Sequence, residues 1–248
     1  MESANLDMTN EKQEDTWISQ LAGGLVHELK NPLSTIKMNL QLLEEEFMKP
    51  QNRKEERALK KIQTIINEMN ELQNILDDFL RFSKSQTLEC HPHSINKAVE
   101  EVLDFVEPEA FLNNIQIRKH FDPHLPLLAI DKNLLKQAVL NIVLNAIQAM
   151  PDGGELIVRT FANGNDYCIE ITDTGYGIAK DKQDKIWEVY YSSKKKGTGL
   201  GLPTTMRIVK AHGGTIQLES EENKGTQFTI RLPKHRICKD HETLHSQG

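Results

Sequence analysis

The sequence predicts two domains, an all-α helical hairpin followed by an α+β sandwich in which helices cover a mixed sheet. Three observations carry this reading. A chain of 248 residues has room for one large domain or two small ones, at roughly 100–200 residues each. Between Leu25 and Leu80 apolar side chains recur at steps of three and four, whereas beyond Ile115 several runs alternate with period two, the respective marks of helix and strand. The polar stretch SKSQTLECHPHS separates the two textures and places the boundary near residues 84–96.

Residues 1–16 carry charges and amides with almost no apolar anchor, which predicts a flexible lead-in. The stripe Leu25, Leu29, Leu33, Ile36, Leu40, Leu43 and Phe47 follows one side of a helix. MKPQNRKEER interrupts it with Pro50 and a charge cluster, and periodicity resumes at Leu59, Ile62, Ile66, Met69, Leu72, Leu76, Phe79 and Leu80. Two such helices within residues 17–84 make an antiparallel hairpin. Its stripe is too wide for a single partner helix. Pairing two hairpins into a four-helix homodimer buries it, with Ile36, Leu40, Leu43, Ile62, Ile66 and Met69 in the core.

A linker over 85–96 leads to the second domain, 97–233. Val99, Val102, Leu103 and Val106 mark a helix, IQIRKHF a strand, and Asp131 caps the apolar helix LLKQAVLNIVLNAIQAM, which stops at Pro151-Asp152-Gly153-Gly154. ELIVRTF and DYCIEIT form a hairpin about ANGN. A polar, glycine-spotted stretch from Asp173 to Gly201 precedes a helix ending at His212-Gly213-Gly214. TIQLES and TQFTIRLP then pair about Asn223-Lys224-Gly225. Hairpins with helices between them give a mixed α+β layer, unlike a repeating βαβ wind. Residues 234–248 read as a flexible tail.

Composition excludes several classes of function. A net charge of −6 provides no basic field for a phosphate backbone, so nucleic acid is not the expected partner. The three cysteines, Cys90, Cys168 and Cys238, are far apart and form no CxxC pair, so neither a disulfide framework nor a zinc ribbon is encoded. No apolar run approaches the ~18 residues that span a bilayer, and the acidic, polar N-terminus does not read as a signal peptide. A cytoplasmic protein with no membrane segment in this chain is expected.

Four constellations could carry chemistry. His27, in LAGGLVHELKNPLSTI, lies off the apolar stripe, among Gly23, Gly24, Lys30 and Asn31 at helical spacing. Alone it reads as a surface histidine. Glu28 could orient its ring, leaving the other nitrogen with a lone pair near neutral pH. A glycine pair before it and Pro32 after it cost helix stability that a purely structural hairpin has no reason to bear. Asn141 and Asn145 project on one side of an apolar helix, as a polar edge or as neutral oxygen ligands for a hard cation. Asp173-Thr174-Gly175-Tyr176-Gly177 follows a strand and is by itself compatible with a plain turn. Lys194-Lys195-Lys196-Gly197-Thr198-Gly199-Leu200-Gly201-Leu202 opens a helix and could cradle phosphate, but its spacing fits neither the Rossmann fingerprint nor the P-loop. Cys238, His241 and His245 in the tail, and His91 and His93 in the linker, are weaker candidates without a set site.

Together and in this order, the motifs closely resemble the transmitter region of two-component sensor histidine kinases over about residues 17–233. His27-Glu28-Leu29-Lys30-Asn31-Pro32-Leu33 is similar to the H box. Asn141 and Asn145 are similar to the N box, and Asp173, Gly175 and Gly177 to the first glycine box. Trp187–Tyr191 stand at the aromatic F box, Gly197–Gly201 at the second glycine box, and Gly225-Thr226 at the third. QAMPDGG and KKKGTGLGLPTTMRIVKAHGG resemble the nitrogen-regulation type of kinase in particular.

The resemblance implies a Bergerat-type ATP site, shared with type II topoisomerases and large heat-shock chaperones, and autophosphorylation of His27 followed by transfer to an aspartate of a response regulator receiver domain. Asp173 would bond the adenine amino group, and Asn145 with Asn141 would hold Mg²⁺. The Gly197, Thr198, Gly199, Leu200, Gly201 and Leu202 segment would wrap the phosphates. Ile178, Tyr190, Tyr191 and Thr226 would complete the nucleotide site, and residues from about Tyr176 to Thr198 would form a mobile lid. Two departures are visible: Val189 stands where the family usually has proline, and Gln148 where many members have a basic residue, which leaves part of the phosphate charge to Lys194, Lys195 and Lys196 or to another group. In kinases with this H box, Glu28 and an amide at Asn31 are associated with phosphatase activity. The alternative is a nucleotide-binding dimeric scaffold without transfer activity.

Overall fold

The computed structural model describes residues 29–83, 88–192 and 197–234. The chain divides into two compact units, Met1–Gln86 with Lys194–Thr198, and Thr87–Ser193 with Gly199–Gly248. The expected lead-in and most of the expected tail, with Cys238, His241 and His245, lie outside the described residues.

In the first unit, α1 covers 29–46 and α2 covers Arg53–Ser83. α2 starts on a reciprocal cap. Asn52 Oδ1 accepts the N–H groups of Lys54 and Glu55 at 3.0 and 3.1 Å, while the Glu55 carboxylate accepts from Gln51 N–H at 2.6 Å and Asn52 Nδ2 at 2.7 Å. An ion pair from Lys30 to Asp77 and a bond from Lys37 Nζ to Gln73 Oε1 at 3.4 Å set the antiparallel register. Ile62, Ile66 and Met69 are buried on α2, whereas Leu29, Ile36 and Leu43 on α1 and Ile65 and Leu72 on α2 remain exposed. The hairpin thus buries one part of its apolar stripe and leaves the rest without cover.

The second unit holds a five-stranded mixed sheet in the order β2-β4-β5-β7-β6 and a two-stranded pair β1-β3. Its strands are β1 (His91–His93), β2 (Ile115–Phe121), β3 (Leu128–Ile130), β4 (Gly154–Asn163), β5 (Asp166–Asp173), β6 (Thr215–Glu221) and β7 (Gly225–Pro233), with helices α3 (Ile95–Leu112), α4 (Lys132–Gln148) and α5 (Gly201–Ala211). Among the described residues only β2 and β4 pair in parallel. Alternation sorts the sheet into two faces. Leu156, Val158, Ile169, Ile171, Phe228 and Ile230 join Val99, Leu103, Leu135, Ile142 and Val143 of the helices in one core, each large side chain stabilising the unit by about 1.5–3 kcal/mol. The opposite face carries polar cross-strand pairs such as Arg159 to Glu170 at 3.3 Å.

Residues 91–93, which composition assigns to the linker, form β1 against β3, with His91 opposite Ile130. α3 therefore starts at Ile95, where Ser94 Oγ accepts the Lys97 N–H at 3.3 Å. A three-residue strand centred on a proline has no alternation by which composition could reveal it.

α3 and α4 are clasped by Glu101, whose two oxygens take Lys132 Nζ at 2.6 Å and Lys136 Nζ at 2.9 Å. Hydrogen bonds from these lysines hold the Glu101 carboxyl down to about 2. A carboxylate with a depressed native value stabilises the fold above its unfolded value of 4.5 and loses that contribution as pH falls through about 2. The pair is exposed, so its worth is small and screened by salt. Glu101→Gln is expected to lower the urea midpoint slightly at pH 7, with the gap from wild type closing between pH 4.5 and 2. A gap independent of pH would mean that the clasp is not ionic.

Candidate active site

Asp173 ends β5 and is 4% exposed, with Oδ1 accepting the Gly175 N–H at 2.9 Å. It stands directly opposite Thr226 across the β5–β7 ladder, so the sheet brings the first and third glycine motifs together. Thr226, also buried, lies with its hydroxyl 3.0 Å from Ser220 Oγ.

The turn after Asp173 is anchored along its backbone. Thr174 N–H donates to Glu155 O at 3.2 Å, Tyr176 N–H to Ala149 O at 3.1 Å and Ile178 N–H to Ser220 Oγ at 2.8 Å, while Tyr176 O accepts Asn223 N–H at 2.8 Å. Gly177 has φ +67°, and a Cβ there would strike the carbonyl of Glu221. At Gly225, φ +106°, a Cβ would strike the carbonyl of Asp173. Both positions require glycine because the backbone is left-handed and another chain segment lies against it. Partial burial and, second to it, the Asp173 carboxylate push the phenol of Tyr176, itself 44% exposed, above its ordinary value.

α4 supplies the asparagine pair. Asn141 Nδ2 donates to Gly201 O at 3.0 Å and to Thr205 Oγ1 at 3.3 Å, which fastens the start of α5 to α4. This commits the NH₂ end of the amide, so the carbonyl end is the one suited to a cation. Asn145 is half-buried one turn further on. Gly199 O accepts the N–H of Tyr190, an exposed residue held at φ +68°, and Tyr191 N–H donates to Glu188 O at 3.2 Å. Leu200 is buried, Leu202 packs on the core, Thr198 is half-buried and Gly197 exposed.

The sequence places the start of the lid near Tyr176, but the first half of that stretch is tied down. Two 3₁₀ turns follow, Lys180–Lys182 and Lys185–Trp187, the second ending on the first F-box residue, and Trp187 packs edge-on against Phe228 at 6.0 Å. His27, Glu28, Lys194, Lys195 and Lys196 lie outside the described residues. Asn31 is exposed on α1, its carbonyl accepting the Thr35 hydroxyl at 3.2 Å. Among the described residues no group of three or more His, Cys, Asp or Glu side chains could hold a metal ion, and no helix is long and apolar enough to cross a membrane.

Sequence reasoning missed three residues. His212 is 1% exposed. Its Nε2 accepts the Asp131 N–H at 3.1 Å and its Nδ1 lies 2.8 Å from Ile208 O, which fixes the Nδ1–H tautomer and ties the end of α5 to the start of α4. Ser220 and Gln183 bond the glycine turn to β6. None of the three belongs to a motif of its own; only the His-Gly-Gly helix stop hinted at the first.

The fold and site define a histidine kinase core, a nucleotide-type α+β domain joined to a helical hairpin. Residues 130–236 match the family model for histidine kinase-, DNA gyrase B- and HSP90-like ATPases, and residues 17–88 match that for the His Kinase A phospho-acceptor domain. The chain thus carries the two domains of a histidine kinase core, the phospho-acceptor domain and the ATPase domain. It is 34% identical over 230 residues to sporulation kinase C of Bacillus subtilis (strain 168), covering 92% of this chain and 52% of that protein. With sensor histidine kinase ZraS of Escherichia coli (strain K12) it shares 35% identity over 234 residues, covering 94% and 49% respectively. The chain thus spans about half the length of these two relatives. Among solved structures, the catalytic domain of histidine kinase ThkA matches with TM-score 0.55 at 28% identity, over 59% of this chain and 96% of that one. ThkA in complex with response regulator protein TrrA matches in fold, with TM-score 0.67 at 23% identity, over 95% and 67%.

Proposed function

We propose that this chain is the kinase core of a two-component sensor. It transfers the γ-phosphoryl group of ATP to its own His27 and passes it to an aspartate on a separate response regulator receiver domain. The observation that carries the reading is the pairing of Asp173 with Thr226 beside the Gly177 and Gly225 turns, in a chain whose other unit carries His27-Glu28. A buried carboxylate on a rigid backbone floor suits a base edge. Asn145 and Asn141 would hold Mg²⁺, which supplies charge neutralisation at the phosphates.

A nitrogen of His27 attacks the γ-phosphorus as the bond to the β,γ-bridging oxygen breaks, and Glu28 keeps the ring in the tautomer that exposes its lone pair. Little further covalent help is needed, since phosphoryl transfer depends mainly on positioning and charge. Incubation with γ-labelled Mg·ATP is expected to leave acid-labile, base-stable label that chases onto a receiver domain. No label under varied salt and protein concentration would favour the scaffold. Consumption of ATP fits the cytoplasm.

The homodimer is part of the same proposal. Leu29, Ile36 and Leu43 recur every seven residues on α1, Ile65 and Leu72 do so on α2, and all five are exposed in the isolated hairpin, which suits a four-helix seam with a second copy. Ile36→Asp is expected to yield monomers, because a charge in that seam costs several kcal/mol (~3–5). Sedimentation of the variant as an intact dimer would move the interface elsewhere.

Asn31 follows His27 by four residues, the spacing that would put the two on one face of a helix. Its exposed amide could position water at a docked phosphoaspartate, since an amide both donates and accepts whereas alanine does neither. Asn31→Ala is expected to keep most autophosphorylation and lose most dephosphorylation of the regulator, measured as decay of labelled regulator with ADP present. Equal decay rates would reduce Asn31 to part of a polar helix face.

A further inference from the structure

The geometry points to Gln183 as a positioning residue for the nucleotide site, a role that rests on the ATP-binding reading above. Gln183 follows the first 3₁₀ turn of the segment after the glycine motif. Its single Nε2 donates to two backbone carbonyls, Ile178 O at 2.9 Å and Ser220 O at 2.9 Å. Ser220 in turn accepts the Ile178 N–H through Oγ at 2.8 Å and donates to Gly225 O at 2.9 Å. Ile178 is therefore held at both its N–H and its C=O by one residue of β6, once directly and once through the amide.

The position of this clamp gives it its effect. The backbone anchors of the glycine turn, Tyr176 N–H to Ala149 and Asn223 N–H to Tyr176, end at Tyr176. Beyond Ile178 the side chain of Gln183 fastens the chain to the sheet before Trp187 reaches Phe228. Gln183 closes the loop of bonds that runs from the turn through Ser220 to Gly225 and Thr226, the residues beside and directly opposite Asp173. It acts through the shape of the turn and not on the reacting atoms.

The acceptor chemistry makes the clamp specific. Two carbonyl oxygens converge on one nitrogen, so the group between them must bring two hydrogens. Methionine has a similar length and no donor, and glutamate sets a carboxylate against two carbonyl dipoles. The order of function is therefore Gln183, then Gln183→Met, then Gln183→Glu, although glutamate is the closest in shape.

The test uses the full chain. Mg·ATP binding is measured first on the wild type, then KM for ATP and kcat of autophosphorylation on wild type, Gln183→Met and Gln183→Glu, with amide hydrogen exchange over residues 175–178. The expected result is KM raised about 3-fold by methionine and about 10-fold or more by glutamate. The expected kcat at saturating ATP stays within twofold, with faster exchange at Ile178 in the nucleotide-free variants. KM unchanged in both variants, or kcat lowered with KM unchanged, overturns the positioning role while leaving the kinase intact. Should Gln183→Glu fail to fold, the methionine variant decides by the same criteria. A wild type that binds no Mg·ATP overturns the proposed function itself, and the clamp with it.

Discussion

His27→Ala is expected to reduce incorporation of γ-phosphate to background while ATP affinity stays within about twofold of wild type. The proposed acceptor and the proposed adenine and Mg²⁺ residues fall in different family matches: the phospho-acceptor match covers 17–88, whereas Asp173, Thr226 and the asparagine pair lie in the ATPase match at 130–236. The substitution removes the only atom on which the phosphoryl group would rest, and alanine offers no lone pair in its place. Loss of a nucleophile is the most severe single change a transfer reaction can suffer, because binding and charge neutralisation alone cannot replace the bond that must form. Mass spectrometry of the labelled wild type should find the phosphate on His27. Stable label on the variant at another residue would refute the assignment, and loss of ATP binding in the variant would show that the two units are not separable in the way proposed.

What the sequence made legible follows from where each signal is stored. α1 and α2 were readable because eight or so apolar positions repeat with one period, and α4 because Asp131 stands before a long apolar run and caps it in the structure at 3.1 Å to Asn133 and Leu134. The hairpins β4–β5 and β6–β7 were readable because both strands and the turn lie within a short stretch. β1 was not: its partner Leu128–Ile130 lies more than thirty residues away, and its own three residues carry no pattern. The same division holds at the site. Gly177 and Gly225 announce themselves because only glycine fits a left-handed turn packed against another backbone. Gln183, Ser220 and His212 bond to main-chain groups of distant segments, and a main-chain partner leaves no mark in the residue type that meets it. The anchoring of Trp187 on Phe228 was hidden for a similar reason, so a stretch read as one lid has a first half fixed to the sheet.

Asp173 offers the second large effect, and a pair of substitutions separates its two duties. Asp173 holds the turn by accepting the Gly175 N–H through Oδ1 at 2.9 Å, and in the proposed site it also accepts from the adenine amino group. Asp173→Ala removes both bonds from a residue only 4% exposed. A hydrogen bond to a charged acceptor is worth about 1.5–3 kcal/mol, so ATP affinity should fall by roughly 10- to 150-fold, together with some loss of thermal stability. Asp173→Asn is the more informative change. Its amide oxygen can still accept from Gly175, so the turn and the melting temperature should be largely kept. Its NH₂, however, presents a donor to the amino group of adenine, and two donors facing each other leave the contact broken. Affinity for ATP should therefore drop nearly as far as in the alanine variant. A nucleotide with a carbonyl oxygen in place of that amino group, inosine triphosphate, should lose far less and could gain. Calorimetric titration of wild type and both variants with ATP and inosine triphosphate measures all of this. If Asp173→Asn binds ATP like wild type, or discriminates against inosine triphosphate as strongly as wild type does, Asp173 holds only the backbone and the base is read by another group.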